Sequence, residues 1–239
     1  MAIKTKKKYR LTRETKVVFG VTLHRIEALV SFGTVVAGAL GGWVASEANL
    51  SQLDNAWVSG NAQVSGNAQV SGDAWVSGDA RVSGDARVLG NAQVSGDAWV
   101  SGDARVLGNA QVSGDAWVSG DARVLGNARV SGDARVLGNA QVLGNAQVLG
   151  NAQVWGDARV SAPVIVVSGI TYNVTITDAH MAIGCQMHPI ADWRGFSARK
   201  IAAMDGAAGS KFWKAYGAFL LGVCDETKRP FVAVAPEQG

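Results

Sequence analysis

From Asn55 to Ser161 the chain repeats one six-residue phrase, Gly-(Asp/Asn)-Ala-X-Val-(Ser/Leu). Its 18 alanines fall at every sixth position from Ala56 to Ala158 and its 18 valines from Val58 to Val160. No insertion breaks the count, and a short fixed period is the signature of a repeat architecture. Within each phrase Ala-X-Val alternates with period two, so Ala and Val share the inner side of a short strand and X points outward. The remaining (Ser/Leu)-Gly-(Asp/Asn) is a corner, because Gly enters the left-handed region freely and Asn or Asp tolerates it better than most side chains. A strand and a corner every six residues predict a coiled parallel solenoid, mainly β.

The outward residues set the number of phrases per coil. Trp57 and Trp75 are 18 apart, as are Trp99 and Trp117, and Leu89, Leu107, Leu125 and Leu143 step by the same 18, with Arg87, Arg105 and Arg123 beside them. Three phrases per coil therefore stack like residues in files about 4.8 Å apart, and 18 phrases close six coils. On one face the Arg file runs beside the Leu file. An exposed apolar strip of that kind marks an interface, so this face is expected to carry self-association or a docked partner. The paired tryptophans read either as platforms for bases or sugars or as surface packing against a cap or a neighbour.

Units such as Val82-Ser83-Gly84-Asp85-Ala86-Arg87 resemble the hexapeptide repeat of left-handed parallel β-helices, the fold of many bacterial acyltransferases. That resemblance alone implies the left hand, since crossover chirality by itself favours the right. Further along the chain, Tyr9-Arg10-Leu11-Thr12, Leu40-Gly41-Gly42-Trp43-Val44 and Glu47-Ala48-Asn49-Leu50-Ser51 precede the repeat. This layout is similar to hexapeptide-repeat proteins of unknown function encoded by phages and prophages. The acyltransferases use a groove His as general base, often under an extended loop, and the repeat here holds neither. The resemblance implies the fold and withholds the activity.

The flanks divide the chain into a basic tail with a β-rich N-terminal cap over residues 1–54, the solenoid over 55–161, and a small α+β unit over 162–239. An overall charge of +3 conceals an asymmetry: residues 1–27 hold eight Lys or Arg against two Glu, and the repeat holds nine Asp against seven Arg. Attraction for nucleic acid or an anionic surface therefore belongs to the N-terminus, with Lys4, Lys6, Lys7, Lys8 and Arg10 as its candidates. Tyr9 to Thr12, Lys16 to Phe19 and Val21 to Ala28 read as short strands turning at Gly20, which would cover the exposed first coil. Ala28 to Ser46 runs 19 residues without a charge, the length of a membrane helix. Its four glycines and β-branched residues speak against spanning. Only two cysteines, Cys185 and Cys224, and no evident signal peptide point to a reducing cytoplasm; the resemblance to phage- and prophage-encoded proteins implies that of a bacterial host cell.

After Ala162-Pro163, three strands are expected at Val164 to Val167, Thr171 to Thr177 and His180 to Cys185. A helix capped by Ser197 should cover Ala198 to Met204, and a second should run from about Gly209 to Cys224 with Phe212, Trp213, Tyr216, Phe219, Leu220 and Val223 on one side. One constellation could carry chemistry. Cys185-Gln186-Met187-His188, with His180 and Asp178 before it and Cys224 available, has the spacing of a zinc site, and a Cys beside a His could act as nucleophile and base. The structural reading of these residues needs no cofactor. No phosphate-cradling Gly-Lys-(Ser/Thr) loop is present.

These features lead to an expected non-enzymatic, rigid binding or assembly protein, a phage or prophage accessory factor acting through protein–protein contacts, homo-oligomeric through the Leu/Arg face or docked to a host protein. The alternatives are a nucleic-acid or host-factor (defence-component) binder using the basic N-terminus, and a divergent transferase or Cys-dependent enzyme.

Overall fold

A computed structural model describes residues 7–230. The repeat forms a three-faced parallel solenoid. Its first face belongs to a nine-stranded sheet, and each of the other two is a six-stranded sheet. Along the first face the outward residues succeed one another as Trp43, Gln63, Arg81, Trp99, Trp117, Arg135 and Gln153. The second face carries Gln69, Arg87, Arg105, Arg123, Gln141 and Arg159, and the third Trp57, Trp75, Gln93, Gln111, Arg129 and Gln147.

Backbone groups are satisfied from coil to coil. Gln63 N–H donates to the Ala80 carbonyl at 2.9 Å and Arg81 N–H to Ala98 at 2.8 Å. All 18 repeat alanines and all 18 repeat valines are essentially solvent-free. Burying each valine contributes about 1.5 kcal/mol or more, most of which offsets chain entropy. Every corner glycine from Gly60 to Gly156 has φ between +62° and +76°, the region closed to most L-residues.

The coils begin earlier than Asn55. β1 (Tyr9–Val18), β2 (Val21–Ala28) and β3 (Leu40–Val44) open the chain. Trp43 and Val44 of β3 pair in parallel with Gln63 and Val64, and Leu50 bridges to Val70, so a seventh coil precedes the regular phrases. This first coil takes 20 residues rather than 18 from Trp43 to Gln63; the exposed Leu53 and Asp54, the latter at φ +54°, accommodate the excess. Gly41 and Gly42 lie so close to the neighbouring coil that a Cβ would stand 2.6 Å from the Trp57 ring and 2.7 Å from the Ala62 carbonyl oxygen, respectively.

The predicted strands at Tyr9 to Thr12 and Lys16 to Phe19 are one strand. β1 runs through with a bulge between Leu11 and Thr15, and pairs with β2 across the Phe19-Gly20 turn. The hairpin is antiparallel to β3 and caps the first coil. Tyr9 is fully buried, and its hydroxyl donates to the Leu50 carbonyl at 2.7 Å. Trp57 is sealed in by Tyr9 and Phe32, at centroid distances of 6.4 and 5.4 Å. The uncharged segment from Ala28 to Ser46 thus becomes a strand end, turns and β3. Among the described residues no helix is long and apolar enough to cross a membrane.

At the other end the meander has four strands rather than three: β4 (Ile165–Val167), β5 (Val174–Ile176), β6 (His180–Ile183) and β7 (Gln186–Pro189). Gly184, at φ +56°, turns the chain so that Gln186 to Pro189 returns along β6. A short helix, α1 (Ile190–Gly195), also escaped the sequence reading, as six residues leave too brief a period to detect. α2 spans Ala198–Glu226 with non-helical dihedrals at Asp205 and Gly206, so the two expected helices adjoin at a kink. Ser197 caps the first, its hydroxyl accepting from Lys200 N–H at 3.2 Å. Phe212 and Leu220 are buried, but Phe219 faces solvent at 57 % exposure.

Candidate functional site

The second face of the solenoid carries the registered files. Arg87, Arg105 and Arg123 are successive Cα partners, as are Leu89 and Leu107. The ladder continues through Leu125 N–H donating to the Val142 carbonyl and Leu143 N–H to Val160, both at 2.8 Å. The leucines are half-buried rather than exposed. A side chain at this corner lies over the strand end, and stacked neighbours shield one another's flanks, leaving only an outer apolar edge.

The three arginines are exposed. Among the described residues the ion pairs join Lys7 to Glu47, Arg10 to Glu27, Arg25 to Glu14 and Arg194 to Asp225, and none lies in the solenoid. The Asp file of the same rungs (Asp85, Asp103 and Asp121) therefore balances these guanidinium groups in net charge without holding them in place. Beside the leucines runs a feature the sequence reading passed over. Asn91 donates from its side-chain amide to Asn109 at 2.9 Å, Asn109 to Asn127 at 2.9 Å, and Asn127 to Asn145 at 3.0 Å. The signal was available, since Asn rather than Asp occupies each of these positions at the 18-residue period.

The tryptophan pairs divide. Trp57 and Trp75 are partners on the third face, but Trp57 belongs to the N-terminal cap core. Trp99 and Trp117 are partners on the first face with stacked rings, 5.5 Å between centroids and 11° between planes. Trp99 keeps 38 % exposure.

In the C-terminal unit Cys185 is exposed, on the turn between β6 and β7. It lines a cavity of about 200 Å³ together with Tyr172, Ile183, Met204, Phe212 and Trp213. Tyr172 closes one side by donating its hydroxyl to the Asp205 carboxylate at the α2 kink. His188 does not join that lining. Its ring packs edge-on against Trp193 and Phe196, at 5.3 and 5.1 Å, and its Nε2 faces Gln186 Oε1 at 3.4 Å. Burial, then the Lys200 charge, lowers its basicity, with Asp192 opposing. His180 lies one residue beyond Met181, the partner of His188 on the adjacent strand, and burial lowers its pKa too. Cys224 is buried in α2, where burial pushes its thiol pKa up. Among the described residues no three His, Cys, Asp or Glu converge as a metal site.

The basic candidates are drawn into the cap. Lys7 pairs with Glu47 at 2.7 Å and Arg10 with Glu27 at 2.7 Å. Lys8 is buried, donating to the Ala56, Leu53 and Asp54 carbonyls at 2.8, 3.1 and 3.3 Å. Burial lowers its pKa to about 8, against the raising influence of Asp54 and Asp73. Lys4 and Lys6 lie outside the described residues.

Residues 62–78, 80–96, 92–108, 98–114, 110–126 and 128–144 match the family described as YdcK beta solenoid repeat. Each match is 17 residues long, one short of a coil, and their starting points differ by multiples of six, beginning on phrases of the first face (62, 80, 98) or of the third (92, 110, 128). The similarity lies within the solenoid and does not extend to the caps. No curated protein matches the chain.

Proposed function

We propose that this protein is a rigid binding and assembly protein that associates through the second face of its solenoid. What supports this reading is the set of exposed, unpaired guanidinium groups of Arg87, Arg105 and Arg123 running in register beside Leu89, Leu107, Leu125 and Leu143. Apolar edges flanked by arginine are the composition of interface cores. A second copy is the favoured partner. The same rungs carry an Arg file and the Asp85, Asp103, Asp121 file, so a copy related by a two-fold axis would set arginines against aspartates in an isologous contact. The resemblance of the N-terminal layout to phage- and prophage-encoded repeat proteins supports an accessory role, with the repeat count setting the length of the rod. The catalytic reading stays the second alternative: His188 does not itself line the cavity beside Cys185, but packs on Trp193, which does.

The test is the solution mass of wild type and of the double variant Leu107→Glu with Leu125→Glu, by light scattering. A dimeric or larger wild type and a monomeric, folded variant are expected. A monomeric wild type, or a variant of undiminished mass, overturns the assignment.

A further inference from the structure

The β1–β2 hairpin outreaches the strand it pairs with. His24 is the partner of Val44, the last residue of β3, so the hairpin tip from Thr15 to Thr22 continues beyond that edge. It leans over the outer surface of the first face. Lys16 Nζ stands 4.4 Å from the Trp43 ring centroid, and the Arg81 guanidinium 5.8 Å from that of Phe19. The cover ends one rung short of Trp99. Between the tip and Trp99 lies a slot of about 220 Å³, walled by Val18, Phe19, Val21 and Leu23 on one side and by Trp99 on the other, with Arg81 and Gln63 at its base.

Three properties of this slot converge on one kind of ligand. Trp99 stacks on Trp117 with one face only, leaving its other face toward the Arg81 rung. The far face of Trp117 is already taken, with Arg135 at 6.0 Å. The slot also has cations at its edge: Arg81 lines it, and Lys16 and Arg25 lie over the Trp43 ring beside it. Burial lowers the Lys16 pKa, the Asp79 charge opposes this, and the charges of Arg25 and Arg81 lower it further. Lastly, the volume falls below the roughly 300–1,000 Å³ of drug-sized ligand sites, which leaves room for a single ring system. Apolar groups at the tip are open to solvent, Phe19 at 83 % exposure and Val21 at 40 %.

We propose that this slot binds a small planar anion, whose aromatic or heteroaromatic ring stacks on the free face of Trp99 against Val21 and Phe19 and whose acidic group pairs with Arg81. The site lies on the first face, so it stands apart from the assembly surface on the second. Ring and charge act together here: the indole supplies a flat apolar contact, and the Arg81 guanidinium, exposed beside Phe19, supplies the anion specificity that an apolar slot alone lacks.

Isothermal titration calorimetry with three probes tests the assignment. Naphthalene-2-sulfonate offers ring and charge, 2-naphthol the ring alone, and methanesulfonate the charge alone. Saturable one-to-one binding is expected for the first, binding about tenfold weaker for the second, and none for the third. Trp99→Leu and Arg81→Gln should each weaken the naphthalenesulfonate about tenfold, while Trp75→Leu, on the third face, should leave it unchanged. Circular dichroism of each variant confirms folding, and Trp99 is exposed enough for leucine to be accommodated. Failure of naphthalenesulfonate to bind folded wild type overturns the proposal, as does undiminished binding by folded Trp99→Leu. Equal affinity for 2-naphthol overturns the role of Arg81.

Discussion

Asp178 Oδ2 accepts the backbone N–H of Ser161 at 2.7 Å. The same carboxylate accepts from the Ser161 hydroxyl and, at 3.3 Å, from Ala162 N–H. Ser161 and Ala162 follow the last repeat valine, whose successors have no further coil to bond with. Asp178 is buried and supplies the missing acceptors from the β5–β6 turn. The join is extended by Gln153 N–H donating to Thr175 Oγ1 at 3.1 Å and Val164 N–H to the Gln147 carbonyl at 2.9 Å.

Asp178→Ala should therefore loosen the last coil. Loss of charge-assisted bonds that leaves two amides unsatisfied costs on the order of 3 kcal/mol. Thermal unfolding followed by circular dichroism should show a midpoint several degrees lower. An unchanged midpoint removes Asp178 from the capping role.

A buried charge in the middle of the rod should do more. Val106 is wholly buried, and its Cα partners are Val88 and Val124. Val106→Asp places a carboxylate among methyl groups with no partner, a cost of several kcal/mol, and should unfold the adjoining coils. Hydrogen exchange would register this as lost protection at Val88 and Val124. Retained protection would contradict the inward assignment.

Corner glycines should differ in their tolerance of alanine. A Cβ on Gly96, at φ +70°, meets Gly114 N at 2.9 Å, while one on Gly150, at φ +62°, meets nothing within 4 Å. Both substitutions bear the left-handed penalty of about 1–2 kcal/mol, but only Gly96→Ala must also push its neighbouring coil away. Its melting point should be the lower of the two. Equal losses would show that dihedral preference alone governs these corners.

Stability should depend on pH through the N-terminal cap. The Lys8 pKa is held near 8 in the folded chain against 10.5 as its ordinary value. Between those values the unfolded chain binds the extra proton, so stability rises with pH across that window. Burial, then the Glu47 charge, raises the Tyr9 hydroxyl above its usual value of 10.0, so its contribution is lost as pH climbs beyond 10. Unfolding free energy should therefore increase from pH 8 to 10, and Lys8→Met should flatten that rise. A slope unaffected by the substitution would assign the effect to other groups.

The two cysteines should be separable by alkylation. Cys185 is exposed, whereas Cys224 is buried with a raised thiol pKa, and reaction requires an accessible thiolate. Intact-mass measurement after iodoacetamide should show one adduct in the native protein and two in denaturant. Two native adducts would mean that α2 opens around Cys224.

Much of the rod is legible along the chain. Ala and Val alternate within each phrase and return at every sixth position, so inward and outward residues follow from spacing, and the 18-residue recurrence of Arg and Leu places Arg87 over Arg105 and Leu89 over Leu107. A repeat makes long-range contacts periodic, and a periodic contact leaves a periodic trace. The degree of exposure did not follow: the leucines shield one another in a way that depends on how the corner folds.

At the ends that periodic trace disappears. Lys8 reads as one of the basic candidates for nucleic acid or an anionic surface, yet it is enclosed by carbonyls of Leu53, Asp54 and Ala56, more than 40 residues away. Cys185 and His188 have the spacing of a reactive pair, yet one lines a cavity and the other is held between Trp193 and Phe196. The amino-acid order settles the coil, its core and its register, because each coil repeats the contacts of the last. Which cations are buried, which face of Trp99 stays open and which turn supplies the final acceptors depend on singular contacts between distant segments. Such contacts occur once and leave no period to read, so only the folded chain decides them.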